Sequence, residues 1–110
     1  MTGADALAPG HEFFERQAWA DAYAQLAAAD REEPLALEDL ERLATAAYLA
    51  GRDGACASAW ARAHRESVRA GDAPRAARCA FWLGLPLLLK GDAAPARGWL
   101  ARASSARDRR

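Results

Sequence analysis

Isoleucine is absent from this 110-residue chain and Val68 is its one valine, so the β-branched residues that strands favour are nearly missing. Alanine fills more than a quarter of the positions instead, which predicts an all-α protein. Long apolar runs are lacking too: the longest uncharged stretch, 79–89, is eleven residues, whereas a helix needs roughly 20 to cross a bilayer. No membrane span is expected. The two cysteines, Cys56 and Cys79, fall on apolar helix faces and read as reduced, buried thiols of a cytoplasmic protein rather than as a disulfide. The N-terminus has no basic region followed by an apolar core, so no signal peptide is expected. No glycine-rich phosphate loop and no nucleophile elbow occur, and neither cysteine has a histidine nearby in sequence. His11 and Glu15 lie one helical turn apart with Glu12 beside them, but no third ligand completes a metal motif, and a surface helix start explains them better. His64, between Arg62 and Arg65, reads as rim or surface. The chain is therefore expected to be no enzyme, with no catalytic, cofactor-binding or metal-binding residue.

What is present is organised around residues 75–91, RAARCAFWLGLPLLLKG, a helix apolar on nearly every side that has to be covered by others. Gly71, Asp72 and Pro74 punctuate its start with a turn, a capping carboxylate and an early proline. Pro86 falls inside it and should kink it near Gly84 without breaking it. In chain order the periodicity predicts residues 1–7 loose, a first helix over about 9–16, then helices over 19–30, 37–50, 55–70, the opening stretch, and 93–106, with 107–110 a polar tail. Helical repeats would thus span 8–106. Inward faces are expected at Trp19, Ala22, Tyr23 and Leu26; at Leu40, Leu43, Ala44, Ala47 and Tyr48; at Cys56, Ala59, Trp60 and Ala63; and at Ala96, Trp99, Leu100 and Ala103. Asp53 is a candidate N-cap and Gly71 a left-handed C-cap. Net charge is zero but divided: residues 1–55 carry eleven acids and four bases, and residues 56–110 the reverse. The basic half leaves one alternative open, a DNA-binding regulator, although its arginines are spread among alanines without exposed aromatics between them. Nucleic acid is the less expected partner.

Small, large, small recurs along the chain. Ala22, Leu26 and Ala29 return, all three after one and the same interval, as Cys56, Trp60 and Ala63, and these return after a second, slightly longer interval as Ala96, Leu100 and Ala103. Gly10, Ala44 and Gly84 keep the same two intervals, as small residues where two helices would cross. With Pro34 closing the first unit, and Leu43 and Leu83 preceding the small residues of the next two, the pattern resembles the tetratricopeptide repeat, whose period of about 34 residues the first interval matches. It departs from that family at the start of the first helix, where the aromatic pair is poorly kept, and after Ala103, where no proline follows. The resemblance implies antiparallel hairpins stacked as a short solenoid; an ordinary bundle of three hairpins is the alternative. The wording of residues 40–52 (LERLATAAYLAGR), 61–66 (ARAHRE), 71–84 (GDAPRAARCAFWLG) and 91–103 (GDAAPARGWLARA) is similar to the helical-repeat region of bacterial LuxR-type transcriptional regulators. Related repeats also accompany class III nucleotide cyclases. The helix-turn-helix of those regulators has no counterpart in these 110 residues, and Pro86 stands where the family keeps a helix former, so DNA binding is not carried over.

The resemblance implies a protein or peptide partner. In a stack of hairpins Phe14, Tyr48, Leu49, Phe81, Trp82, Leu85, Leu88 and Leu89 would line the concave side, an apolar face suited to an amphipathic helix. The other reading is that these residues pack against one another. Trp99 and Leu100, on a last helix with nothing after it to cover them, are candidates for a terminal interface, including a homodimer.

Overall fold

The computed structural model describes residues 3–108, with side chains for 6–92 and 94–104. Among the described residues six helices follow one another and no strand occurs: α1 Gly3–Glu15, α2 Trp19–Glu32, α3 Leu37–Leu49, α4 Asp53–Arg69, α5 Ala73–Leu89 and α6 Ala93–Asp108. The chain is all-α and built from helix hairpins. It divides into two compact units, Met1–Ala59 and Trp60–Arg110, with α4 contributing to both.

The boundaries correct some sequence expectations. α1 starts at Gly3, inside the stretch expected to be loose, and takes Pro9 into its interior. The alanine-rich segment before Pro9 favours helix strongly enough to run into a residue that removes one backbone hydrogen bond. α6 likewise runs on to Asp108, into the expected polar tail; residues 1–2 and 109–110 lie outside the described ones. α5 passes through Pro86 without a break. Asp53 is not an N-cap but the first residue of α4, because the Arg52 carbonyl already accepts from the Cys56 N–H at 2.9 Å. Asp72 does cap α5, its Oδ1 accepting from the Arg75 N–H at 3.1 Å. α2 ends as Glu33 turns extended, the conformation that a residue before proline prefers.

Four of the five junctions are one motif. At Gln17, Gly51, Gly71 and Gly91 the backbone enters the left-handed region, with φ of 60, 78, 72 and 86°. The N–H of the next residue reaches the carbonyl five back: Ala18 to Phe13, Arg52 to Ala47, Asp72 to Ser67 and Asp92 to Leu87, at 2.7–2.9 Å. That is the Schellman ending, which satisfies carbonyls that a helix terminus leaves unpaired. Three of the positions use glycine. Gln17 does not, and a side chain there costs about 1 kcal/mol.

In the first unit α2 and α3 bury Ala22, Leu26, Leu40, Ala44, Ala46 and Ala47 almost completely. Leu26 fits because Gly10 faces it: a Cβ on Gly10 would lie 2.8 Å from Leu26 Cδ2. In the second unit Gly84 plays the same part, its Cβ position lying 3.0 Å from Leu100 Cγ and 3.2 Å from the Ala96 carbonyl. Gly10 and Leu26 are as far apart in sequence as Gly84 and Leu100. The α1/α2 and α5/α6 hairpins therefore share turn and crossing at one common offset, the sum of the two intervals read in the sequence. Cys56 and Cys79 are buried and are not joined in a disulfide. Ser67 is fully buried and donates its hydroxyl to the Ala63 carbonyl at 2.7 Å.

Candidate functional site

α5 carries the features that ask for explanation. Its buried arc holds Ala76, Ala77, Cys79, Ala80, Leu83 and Gly84, mostly small residues that let neighbours approach. The opposite arc is largely apolar, broken by Arg78. At 100° per residue Phe81, Leu85 and Leu88 fall in one stripe and Trp82 and Leu89 beside it. Phe81, Trp82, Leu88 and Leu89 are exposed, Leu89 to 75%, and Leu85 is half-buried. Inside the unit Trp82 is held by Trp60 of α4, stacked at 6.3 Å between ring centroids, and Phe81 meets Trp82 edge to face at 5.4 Å. The two aromatics are thus fixed against the unit and open outward.

The residues expected on one concave face have separate fates. In the first unit Phe14 is half-buried and closes edge to face on Trp19 at 5.2 Å, so it packs rather than presents itself. Tyr48 and Leu49 are exposed, which corrects the inward placement of Tyr48; the buried face of α3 is Leu40, Leu43, Ala44 and Ala47 with Asp39 and Ala46 added. In the second unit Phe81, Trp82, Leu85, Leu88 and Leu89 form the apolar face of α5. Trp99 is half-buried: it meets His64 edge to face at 5.4 Å and carries the Arg102 guanidinium over its ring at 4.5 Å. Leu100 is half-buried against Gly84.

His64, enclosed by Trp99, has its imidazole pKa lowered by burial first, then by the charges of Arg102 and Arg65. It is a packing residue that disfavours its own protonation. In the first unit a cluster that the sequence pattern does not single out ties α1 to α3. The Asp39 side chain, largely buried, accepts from His11 Nε2 at 2.6 Å and from Arg42 Nη1 at 2.9 Å, both on Oδ1. Although Glu15 lies one helical turn from His11, the partner of His11 is 28 residues on. Among the described residues no three His, Cys, Asp or Glu side chains gather in a way that could hold a metal ion. Also among them, no helix is long and apolar enough to cross a membrane.

Next to the apolar face of α5, a groove of about 450 Å³ runs between α5 and α6, lined by Pro74, Ala77, Arg78, Phe81, Leu100, Ala103 and Ser104. Of these, sequence reasoning marks Phe81 for binding and Leu100 for an interface. Ala103 is marked as an inward residue, and the common offset of the two hairpins carries Leu7 onto Phe81, Leu26 onto Leu100, Ala29 onto Ala103 and Asp30 onto Ser104. Basic side chains of this unit are already engaged: Arg69 pairs with Glu66 at 3.0 Å, Arg75 with Asp72 at 3.5 Å, and Arg102 covers Trp99. No family model, curated protein or solved structure matches the chain.

Proposed function

We propose that the chain is a non-enzymatic protein–protein interaction scaffold, a tetratricopeptide-like repeat module related to the repeat region of LuxR-type regulators. One observation carries the binding reading: α5 spends Phe81, Trp82, Leu88 and Leu89 on its outer surface, a concentration of large apolar side chains that a monomer rarely leaves uncovered without use. The kinship rests on less, namely the quoted segments and the shared turn and crossing of the α1/α2 and α5/α6 hairpins. A homodimer through α6 draws little support, because Trp99 is spent on His64 and Arg102. DNA binding is disfavoured by the pairing of Arg69 and Arg75 with acids in their own unit.

The test is a photo-crosslinking residue, p-benzoylphenylalanine, in place of Leu89 in the cell that expresses the chain. Light-dependent adducts with a defined protein, lost when Leu85 is also changed to Glu, are the expected result. Adducts with nucleic acid whose yield falls steeply with salt would favour the DNA-binding alternative, and no adduct of either kind would refute the scaffold reading.

A further inference from the structure

The α1/α2 hairpin of the first unit is covered by the chain's own next segment. Between α2 and α3 the chain runs extended, and Leu35, buried there, donates its backbone N–H to Asp30 Oδ1 at 3.2 Å. The first turns of α3 follow, with Leu40 buried and Asp39 held by His11. What remains of that seam is a pocket of about 300 Å³, whose walls are Leu7 and Ala29 on the hairpin side and residues 33–36 with Asp39 on the other.

Carried forward by the offset that takes Gly10 to Gly84, the hairpin side of this seam becomes the groove of the second unit. Leu7 maps to Phe81, Ala29 to Ala103 and Leu26 to Leu100, and all three line the groove. Asp30, the acceptor for the Leu35 N–H, maps to Ser104, whose hydroxyl oxygen also accepts. Ser104 and Phe81 are exposed. Among the described residues, Pro74, Ala77 and Arg78 of the groove have no counterpart in the seam, and His11 maps to Leu85. The equivalent of Asp39 would therefore meet an aliphatic side chain instead of an imidazole, and a carboxylate placed there would lose its partner and be left desolvated. Arg78 is the charged residue of the groove wall, which favours a negatively charged occupant there.

We propose that the α5/α6 groove docks an acidic amphipathic helix of a partner protein, entered through an extended, leucine-bearing residue, as Leu35 and α3 dock on the α1/α2 hairpin. The occupant seats its leucine between Phe81 and Ala103 and gives that residue's N–H to Ser104. Four residues further on it presents an apolar side chain to Leu85. This deepens the scaffold reading and rests on it, naming the partner's chemistry and a groove adjoining the apolar face of α5.

The chain supplies its own probe. A fluorescent peptide of residues 33–50 carrying Asp39→Leu, with both ends blocked, keeps Glu33, Glu38 and Glu41 against the single Arg42 and replaces the one side chain that Leu85 would reject. Titrated with the full chain and followed by anisotropy, it is expected to bind. Affinity should fall at least tenfold with Phe81→Glu in the protein and about fivefold with Ser104→Ala, the latter being one ordinary hydrogen bond. The unsubstituted peptide should bind more weakly than its Asp39→Leu form. Both protein variants change exposed residues and leave the core untouched, and circular dichroism checks their helicity.

Equal binding to the wild type and to Phe81→Glu, tighter binding of the unsubstituted peptide, or no binding at about 1 mM protein, the weak end of specific recognition, would overturn the proposal. So would tighter binding with His11→Ala, which frees Asp39 and loosens α3, because the peptide would then be displacing α3 in the first unit. A dimer in light scattering that Phe81→Glu dissolves would assign the groove to a second copy and also overturn it. Protein adducts at Leu89 without peptide binding would remove this groove and leave the scaffold reading standing.

Discussion

Three glycines inside helices test the hairpin geometry, because replacing each by alanine adds one methyl group in a different setting. In a helix interior, Gly→Ala gains about 1 kcal/mol in backbone entropy and propensity. At Gly98 nothing lies within 4 Å of the new Cβ, so the full gain should appear. At Gly84 the Cβ would meet Leu100 at 3.0 Å, tight but against a half-buried side chain that can yield, and the Ala96 carbonyl at 3.2 Å; gain and cost should nearly cancel, leaving a change within about 0.5 kcal/mol. At Gly10 the Cβ would sit 2.8 Å from Cδ2 and 2.9 Å from Cγ of Leu26, which is fully buried and has nowhere to go. Overpacking of about 1–3 kcal/mol then exceeds the gain, and Gly10→Ala should cost up to about 2 kcal/mol. Urea unfolding followed by circular dichroism gives the three values at constant m. The order of stability should be Gly98→Ala, wild type with Gly84→Ala, Gly10→Ala. A Gly10→Ala protein as stable as Gly98→Ala would refute the close crossing of α1 and α2 and, with it, the offset on which the groove assignment rests.

Gln17→Gly should stabilise the chain by about 0.5–1 kcal/mol in the same urea assay, since it relieves a left-handed non-glycine residue at some cost in unfolded-chain entropy. Asp39→Ala should destabilise by about 1 kcal/mol, less than a buried charge pair because His11 and Arg42 are both partly solvated; a cycle with His11→Ala should show the coupling. For His64 the folded pKa is lowered, so above the ordinary value of 6.5 both states hold it neutral and stability is independent of its titration. As pH falls below 6.5 the unfolded chain binds the proton first, stability declines, and the decline levels once the folded imidazole is also protonated. His64→Gln should remove that slope from urea midpoints measured between about pH 7 and 5.

Most of the helices are legible in the sequence because alanine-rich faces interrupted by Gly-Asp pairs leave few alternatives. Ala22, Leu26, Cys56, Ala59, Trp60, Ala63 and Ala96 are buried as their spacing predicts. The reading fails where a rule of local punctuation meets a stronger neighbour: Pro9 does not start α1, and Asp53 does not cap α4, because the turn at Gly51 has already closed the preceding helix and handed the capping place to Arg52. It fails again where contacts span distant residues. His11 and Asp39 are 28 apart and obey no helical spacing, so nothing in a periodic pattern joins them. Trp99 reads as open to a further helix; the sequence pattern does not show that it is half-buried with the His64 ring at its edge. The groove is the converse case, written in the two intervals of the repeat but visible only once Gly10 and Gly84 are each seen against a leucine.

The composition that makes the helices readable also bears on why α5 keeps its large residues outside. Alanine buries little apolar area, and among the described residues the large side chains of the core are few, Leu26, Leu35, Leu40, Leu43, Trp60 and Leu83, so the interior supplies modest stabilisation. A chain so placed gains from bringing every leucine and aromatic inward. Phe81, Trp82, Leu88 and Leu89 run against that interest, and helix propensity does not explain them, since Ala, Glu or Lys would serve an exposed helix as well or better. Placed beside a groove whose first-unit counterpart already holds an extended leucine and a helix, they make sense as area reserved for a partner. Occupancy should then stabilise the fold itself, by about 2.7 kcal/mol at a hundredfold excess of partner over its Kd. A thermal shift with the Asp39→Leu peptide that disappears in Phe81→Glu would report the groove and the outer face of α5 acting together.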